Sequence, residues 1–182
     1  MRKFTFILKI TMKAKFAKES LTITTEHVLP NDTNHVGGLF GGRLMQWMDT
    51  TTAISAHRHC KRVVVTAAVN NISFDHQIKA GSVVTLEAKV SRAFNSSMEV
   101  FIVVSVEDEV TGAVMKCNEA MFTFVAVDQN GSPLPVPELI PETEEEKRRF
   151  DGALRRRQLS LVLSGRMKAD DATELKALFV KS

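Results

Sequence analysis

The sequence predicts an α+β fold in which an antiparallel five-stranded sheet curls around one central helix. The order of elements is the first reason: one strand-like run precedes a helical stretch, and four strand-like runs follow it with no helix between them. The second reason is the helix itself, at about 39–59, which carries apolar or small residues on two faces. Such a helix must be surrounded by protein, and a single sheet can surround it only by curling.

Alternation and turn residues locate the strands. The clearest run is 83–94, in which Val84, Leu86, Ala88 and Val90 alternate with polar residues, as expected for a strand with one face in the core. β-Branched residues and turn signals define the others. The five predicted strands are 21–30, 63–74, 83–94, 98–110 and 113–127.

Composition divides the chain into three predicted regions. Residues 1–18 form a basic N-terminal extension with six Lys or Arg and no acid. Residues 19–137 form the main domain, with 8 basic and 12 acidic residues. Residues 138–182 hold a proline-rich linker and a helical tail, with predicted helices at 142–163 and 170–180. We expect this tail to be an extension of the domain, not a second domain.

Size and charge exclude several classes of protein. A chain of 182 residues can bury a core without disulfides, and the two cysteines form no framework, which favours free thiols in a reducing compartment. The acidic main domain disfavours nucleic-acid binding. No stretch reaches the roughly 18 apolar residues of a membrane-spanning helix. The apolar run Phe4–Leu8 is too short for a signal peptide, so we predict a cytoplasmic protein without a membrane partner.

Asp49 is the unusual residue of the helical stretch, because a carboxylate among apolar side chains either finds a partner or changes its protonation state. One interpretation is a structural carboxylate bonded to backbone, an arginine or a threonine. The other rests on Gly37-Gly38 and Gly41-Gly42, which let a ligand approach the backbone at a helix N-terminus with unpaired amides. Such amides suit a carbonyl oxygen that gains negative charge, which is the outline of an acyl-transfer site.

These residues follow the pattern N-x-x-G-x-x-x-G-G-x-x-x-x-x-x-D, matched by Asn34, Gly37, Gly41, Gly42 and Asp49. The segment resembles the acyl-coenzyme A hydrolase family of hotdog-fold thioesterases. Downstream, "VVTAAVNNISF", "GSVVTLEAKVSRAFNSSMEV" and the arginine-bearing tail extend the resemblance over about residues 20 to 161.

The resemblance implies an enzyme that hydrolyses fatty acyl-CoA to free fatty acid and coenzyme A without a metal or further cofactor. Asp49 would act as general base or as nucleophile. Asn34 would position the water or the thioester, across a subunit boundary from Asp49, and the backbone amide of Gly42 would polarise the thioester carbonyl. The resemblance further implies dimers with a continuous sheet, assembled as a trimer of dimers into a homohexamer.

Two segments should line the path of the coenzyme by the same resemblance: Thr66, Ala67, Ala68 and Val69, with Asn95, Ser96, Ser97 and Met98. For the second segment a plain turn with solvated serines is the alternative. The consecutive arginines 155–157 cannot all face one ligand. We expect Arg156 or Arg157 to bind a phosphate of the coenzyme, with a solvated basic face as the alternative. Plausible liners of the acyl tunnel are Met45, Trp47, Met48 and Phe74.

Two other functions stay open on the same fold. An acyl-thioester dehydratase usually pairs a histidine with its carboxylate, and no histidine is suitably placed in the glycine–helix block. A non-catalytic sensor that binds acyl-CoA is the other alternative, and the presence of both Asn34 and Asp49 argues against it. His57 and Cys60 are three residues apart, but no further His, Cys, Asp or Glu lies at a spacing typical of a metal site, so we predict none. The sequence contains no Gly-x-Ser-x-Gly motif, which would indicate a serine hydrolase.

Overall fold

The computed structural model describes residues 12–70, 72, 76–108 and 111–180. Its helices are α1 (Gly41–Cys60), α2 (Glu144–Leu163) and α3 (Thr173–Val180). Its strands are β1 (Lys15–Phe16), β2 (Thr22–His27), β3 (Val63–Asn70), β4 (Val83–Ala93), β5 (Ser97–Glu107), β6 (Val114–Val127) and β7 (Leu139–Ile140). Short 3-10 turns lie at Ala17–Ser20, Pro30–Asp32 and Ala169–Asp171.

The main sheet has the strand order β2-β4-β5-β6-β3, and all four pairings are antiparallel. Helix α1 contacts all five strands, so the sheet wraps around it. The fold class predicted from the sequence, a hotdog fold with a C-terminal helical extension, is confirmed. The two edge strands are β2 and β3, and β3 carries a bulge between Thr66 and Ala68.

In β4, the residues that are buried are those that the alternating sequence pattern predicts. Val84, Leu86, Ala88 and Val90 are at most 1% exposed and face α1. Full burial of a valine or leucine side chain contributes about 1.5–3 kcal/mol. The side chains of this strand therefore hold the sheet on the helix and fix the register of its neighbours.

Helix α1 is buried on one side and open on the other within a single protomer. Its core-facing residues are Leu44, Trp47, Met48, Thr51, Thr52, Ser55, Ala56, His59 and Cys60. On the other side Ile54 is 38% exposed, and Asp49 is half-buried. The open side lies next to β3, an edge strand that has no neighbour beyond it among the described residues. Asp49 consequently lies at the border of the core and not inside it.

Both predicted extensions pack on the main domain. Strand β1, from the N-terminal side, pairs in parallel with β7 from the linker. Lys15 Nζ also donates to the carbonyl oxygen of His59 at 2.6 Å, where it caps the C-terminus of α1. Residues 1–11 of the basic extension lie outside the described residues, and the three region boundaries stay predictions. Within the described part of the chain, no helix is long and apolar enough to cross a membrane.

Candidate active site

Asp49 has a specific partner on the neighbouring edge strand. The hydroxyl of Thr66 on β3 donates to Asp49 Oδ1 at 2.7 Å. Thr66 is solvent-exposed and lies at the bulge of β3, which locally changes the register against β6. The structure thus assigns Thr66 a contact that the sequence pattern did not indicate, since we had placed it on the coenzyme path.

The helix that carries Asp49 is fixed from its opposite side. Thr51 Oγ1 donates to the carbonyl of Trp47 and lies 2.7 Å from the hydroxyl of Thr24 on β2. Thr52 Oγ1 donates to the carbonyl of Met48 at 2.7 Å. The Thr24–Thr51 contact ties α1 to β2 close to Asp49, while the other two bonds lie within the helix.

Asn34 is held by the glycine loop in one orientation. Its Oδ1 accepts hydrogen bonds from the backbone N–H of Val36 at 3.0 Å and of Gly38 at 3.2 Å. Because both partners are donors, only the oxygen can face them, which sets the amide orientation. Among the residues that the structure describes, Asn34 Nδ2 has no acceptor. Asn34 can therefore donate a hydrogen bond to a ligand but has its acceptor already in use.

Backbone conformation favours glycine at position 37, and Gly42 lies against the exposed ring of Phe40. Gly37 has φ +78°, which favours glycine. A Cβ on Gly42 would lie 2.7 Å from Cε1 of Phe40, the residue that precedes α1. No acceptor within the described residues meets the amide of Gly42, so this N–H can donate to a ligand. The Asp32–Arg43 ion pair, at 2.8 Å, anchors this end of the helix.

Among the cavities given for the described residues, those lined by Asn34 or by Gly42 do not include Asp49. Asn34 lines a cavity of about 390 Å³ together with Leu39, Leu44 and Ile78. Gly42 lines a neighbouring open hollow. Asp49 lines neither. The structure therefore separates the predicted catalytic residues into two places on one protomer: the glycine loop, and the contact between α1 and β3.

A second cavity gathers most of the residues predicted to bind the coenzyme. Its volume is about 240 Å³, and six of its lining residues were predicted: Ala67, Ala68, Ser96, Ser97, Arg156 and Arg157. The backbone oxygen of Asn95 accepts from the amide of Val136 at 3.0 Å. Val69 is half-buried and packs against the core. Met98 is fully buried, so its side chain faces the core and cannot line the cavity.

The structure distinguishes the two candidate arginines. Arg156 forms a bidentate ion pair with the buried carboxylate of Glu99, with N–O distances of 2.9 and 2.6 Å. The guanidinium of Arg156 is thus engaged in a structural ion pair. Arg157 donates to Ser97 Oγ at 2.7 Å and lies 4.3 Å from the ring centroid of Phe94, with no carboxylate partner within the described residues. Arg157 is the one with charge available for an anion.

Three of the predicted acyl liners lie on α1, where Trp47 and Met48 are packed in the core and Met45 is half-buried against it. Phe74 lies outside the described residues, so the lining of an acyl tunnel stays a prediction. The cavity at Asn34 has an apolar lining from Leu39, Leu44 and Ile78. Sequence periodicity could not identify these, because two of them lie in loops.

The histidines near the end of α1 make backbone contacts. His59 Nε2 lies 2.8 Å from the carbonyl oxygen of Pro137, and His57 Nδ1 lies 2.9 Å from that of Arg62. Burial lowers the pKa of His59, and burial raises the pKa of the Cys60 thiol. In the part of the chain that the structure describes, no three His, Cys, Asp or Glu side chains converge as metal ligands.

Comparison with known proteins identifies relatives along most of the chain. Residues 36–113 match the family model described as Thioesterase superfamily. A Bacillus subtilis protein named uncharacterized acyl-CoA thioester hydrolase YkhA is 45% identical over 136 residues, which are 75% of this chain and 79% of that protein. The rat cytosolic acyl coenzyme A thioester hydrolase is 40% identical over 124 residues, or 67% of this chain, but these span only 32% of the rat protein.

Solved structures show the same fold. An apo-hexameric acyl-CoA thioesterase is 37% identical with a TM-score of 0.78, covering 81% of this chain and 94% of its own. A Staphylococcus aureus acyl-CoA hydrolase in complex with butyryl coenzyme A, coenzyme A and coenzyme A disulfide is 34% identical with a TM-score of 0.76, covering 90% and 99%. The same hydrolase was also solved with an aspartate, an asparagine or a threonine replaced by alanine.

Proposed function

The chain belongs to the acyl-CoA hydrolase family of hotdog-fold thioesterases, and we propose that it hydrolyses fatty acyl-CoA with Asp49 as the catalytic carboxylate. The observation that carries this proposal is the Thr66–Asp49 hydrogen bond. In the S. aureus hydrolase the substituted asparagine precedes the substituted aspartate by 15 residues, and the substituted threonine follows it by 17. Asn34, Asp49 and Thr66 are separated by the same intervals.

Hydrolysis of the thioester requires one carboxylate oxygen of Asp49 that is not hydrogen-bonded within the protein. Because the hydroxyl of Thr66 donates to Asp49 Oδ1, the carboxylate is oriented and Oδ2 is left to act. As general base, Asp49 takes a proton from a water whose oxygen attacks the thioester carbonyl carbon. The carbon–sulfur bond then breaks, and the coenzyme thiolate leaves and takes up a proton. As nucleophile, the carboxylate itself attacks the carbonyl carbon and the carbon–sulfur bond breaks, so that the coenzyme thiolate leaves. Water then cleaves the resulting anhydride, which releases the acid and restores the carboxylate.

The glycine loop supplies the groups that stabilise the developing oxyanion. The Gly42 amide is a free donor at the helix N-terminus, where the helix dipole favours negative charge. Asn34 Nδ2 is a second donor, since its amide oxygen is occupied by Val36 and Gly38. Both groups suit the carbonyl oxygen of a thioester or the oxygen of an attacking water.

A second subunit is needed to bring these groups together. Asp49 lies beside β3, an edge strand without a neighbour in the described residues, and Val63 on this strand is 67% exposed. Pairing of β3 with the same strand of a second copy would bury that surface and continue the sheet. We propose that this dimer places the partner subunit's Asn34 beside Asp49, and that three dimers form a hexamer.

The coenzyme would extend from Asp49 along β3. Thr66 contacts Asp49, while Ala67 and Ala68, the next residues, line the cavity that also holds Arg157. The small side chains of these alanines leave room for a ligand on the surface of the strand. The partner of Asp49 is therefore next in sequence to a residue that lines a cationic cavity. We also propose a cytoplasmic location, by analogy with the rat relative that is named cytosolic.

Thiol release from acetyl-, hexanoyl-, decanoyl- and palmitoyl-CoA tests the proposed reaction. We expect turnover by the wild type and a loss of about 10²-fold in Asp49→Asn, equivalent to ~2.7 kcal/mol of barrier, with coenzyme A binding retained. Asp151→Asn is the matched control, because it makes the same substitution at an exposed position on α2. Coenzyme A binding by the wild type without turnover of any thioester would instead support the non-catalytic sensor.

A further inference from the structure

A short segment before β4, residues 76–79, lies against the glycine loop of the candidate site. The amide of Leu39 donates to the carbonyl of Ile78 at 2.6 Å. Gly38 forms an antiparallel bridge with Lys79. These contacts join main-chain atoms, so a change of side chain at position 77 leaves them in place.

The side chain of Gln77 adds a contact to the centre of the loop. Its Nε2 donates to the carbonyl oxygen of Val36 at 3.1 Å, and the N–H of the same Val36 donates to Asn34 Oδ1 at 3.0 Å. Val36 therefore links the Gln77 amide to the Asn34 amide through two hydrogen bonds. Because Val36 is 66% exposed, these polar contacts hold it in place more than apolar packing does.

The absence of a side chain at Gly38 leaves room for Gln77. A Cβ on Gly38 would lie 2.7 Å from Cγ and 2.8 Å from Nε2 of Gln77, which is closer than such atoms pack. The N–H of Gly38 is the second donor to Asn34 Oδ1, at 3.2 Å. Gln77 thus contacts both of the residues whose amides orient Asn34.

We propose that Gln77 is a positioning residue that keeps the Asn34 amide in the orientation in which its Nδ2 donates to the substrate. This inference rests on the proposed function, in which Asn34 Nδ2 binds the thioester oxygen or the attacking water. The two main-chain donors fix the oxygen of the Asn34 amide. By restricting these donors, Gln77 reduces the number of arrangements in which Nδ2 points away from the ligand.

Steady-state thiol release by Gln77→Met tests the inference, because methionine has a similar length and no hydrogen-bond donor. We expect kcat to fall about fivefold to tenfold, the range of one neutral hydrogen bond, with KM and the melting temperature as in the wild type. Gln77→Lys keeps a donor at a similar reach and should recover most of the kcat. Gln129→Met makes the same substitution in an exposed turn and should behave as the wild type does.

Gly38→Ala reaches the same contact from the other side. Its Cβ displaces the Gln77 side chain from Val36, so kcat should fall here as well. The double variant with Gln77→Met should then lose little more than Gly38→Ala alone. Additive losses would show that the two residues act independently, which overturns the inference.

Hydrogen exchange of the loop gives a readout that does not depend on turnover. The peptide that contains Val36 and Gly38 should take up deuterium faster in Gln77→Met, but not in Gln129→Met. An unchanged kcat or an unchanged exchange rate in Gln77→Met overturns the inference, even if the wild type cleaves acyl-CoA. A wild type that cleaves no thioester contradicts the proposed function instead, and the exchange rates then still decide whether Gln77 orders the loop.

Discussion

Thr66 donates its hydroxyl hydrogen to Asp49 Oδ1 at 2.7 Å, across the contact between the central helix and the edge strand of the sheet. The two residues are 17 positions apart in the chain and meet because β3 returns alongside α1. This single bond sets which carboxylate oxygen is free, and it lies beside the edge strand at which we propose that a second subunit pairs.

Thr66→Val removes this hydroxyl and keeps the shape of the side chain. We expect kcat for acyl-CoA to fall by roughly 10-fold to 100-fold, because a carboxylate without its orienting donor loses about 1–3 kcal/mol of hydrogen bonding. Thr66→Ser should restore most of the activity. Equal kcat values for the valine variant and the wild type would show that the bond has no part in catalysis.

Asn34→Asp tests whether Asn34 acts as a donor. The aspartate still accepts from the amides of Val36 and Gly38, so the loop and the melting temperature should be preserved. It cannot donate to a thioester or water, and we expect at least a 100-fold loss in kcat, about 2.7 kcal/mol. Asn34→Ala should lose activity and also loop stability. An active Asn34→Asp enzyme would contradict the donor role.

Arg156→Met tests the structural role assigned to Arg156. The substitution leaves the carboxylate of Glu99, which is 5% exposed, without its ion-pair partner. Breaking a buried pair in this way costs about 3–5 kcal/mol, so the free energy of unfolding in urea should fall by roughly that amount. The double variant with Glu99→Met should recover part of the loss. Weakened coenzyme A binding at unchanged stability would show instead that Arg156 contacts the ligand.

The buried His59 should make stability depend on pH. Burial lowers its pKa below 6.5, so the unfolded chain takes up a proton at a pH where the folded chain does not. The free energy of unfolding should therefore fall as the pH drops below about 6.5, until the folded-state pKa is reached. His59→Asn should flatten this slope in urea titrations at pH 7 and pH 5.5, whereas exposed His35→Asn should not. Identical slopes in all three proteins would contradict the assignment.

The sequence predicted the fold well because buried positions show as a periodic pattern of apolar residues. The alternation of Val84, Leu86, Ala88 and Val90 defines a strand with one face in the core. The consecutive strands β4, β5 and β6 pair as neighbours, whereas β2 and β3 take the two edges, which no local pattern indicates. Asp49 is conspicuous for a related reason, since a carboxylate among apolar residues loses the free energy of hydration. Such local signals depend only on nearby positions.

The contacts within the candidate site depend on long-range packing, which single-sequence patterns do not contain. Whether Arg156 or Arg157 faces Glu99 is decided by how α2 packs on β5, 57 residues earlier in the chain. The contact between Thr66 and Asp49 depends on the bulge in β3. Arg166 lines the cavity of Arg157 because Gly165, with φ +69°, reverses the chain after α2. A glycine after a helical pattern predicts where the helix ends, but it does not show where the next side chain points.

Mixing two inactive variants tests the central claim, a site built from Asp49 of one subunit and Asn34 of another. Asp49→Asn and Asn34→Asp should each be nearly inactive alone. In oligomers formed after mixing unfolded or co-expressed chains, symmetric interfaces combine at random, so about a quarter of the sites should hold both native residues. We predict recovery of about a quarter of wild-type thiol release. No recovery in verified mixed oligomers would mean that both residues act within one subunit, or that they do not act together.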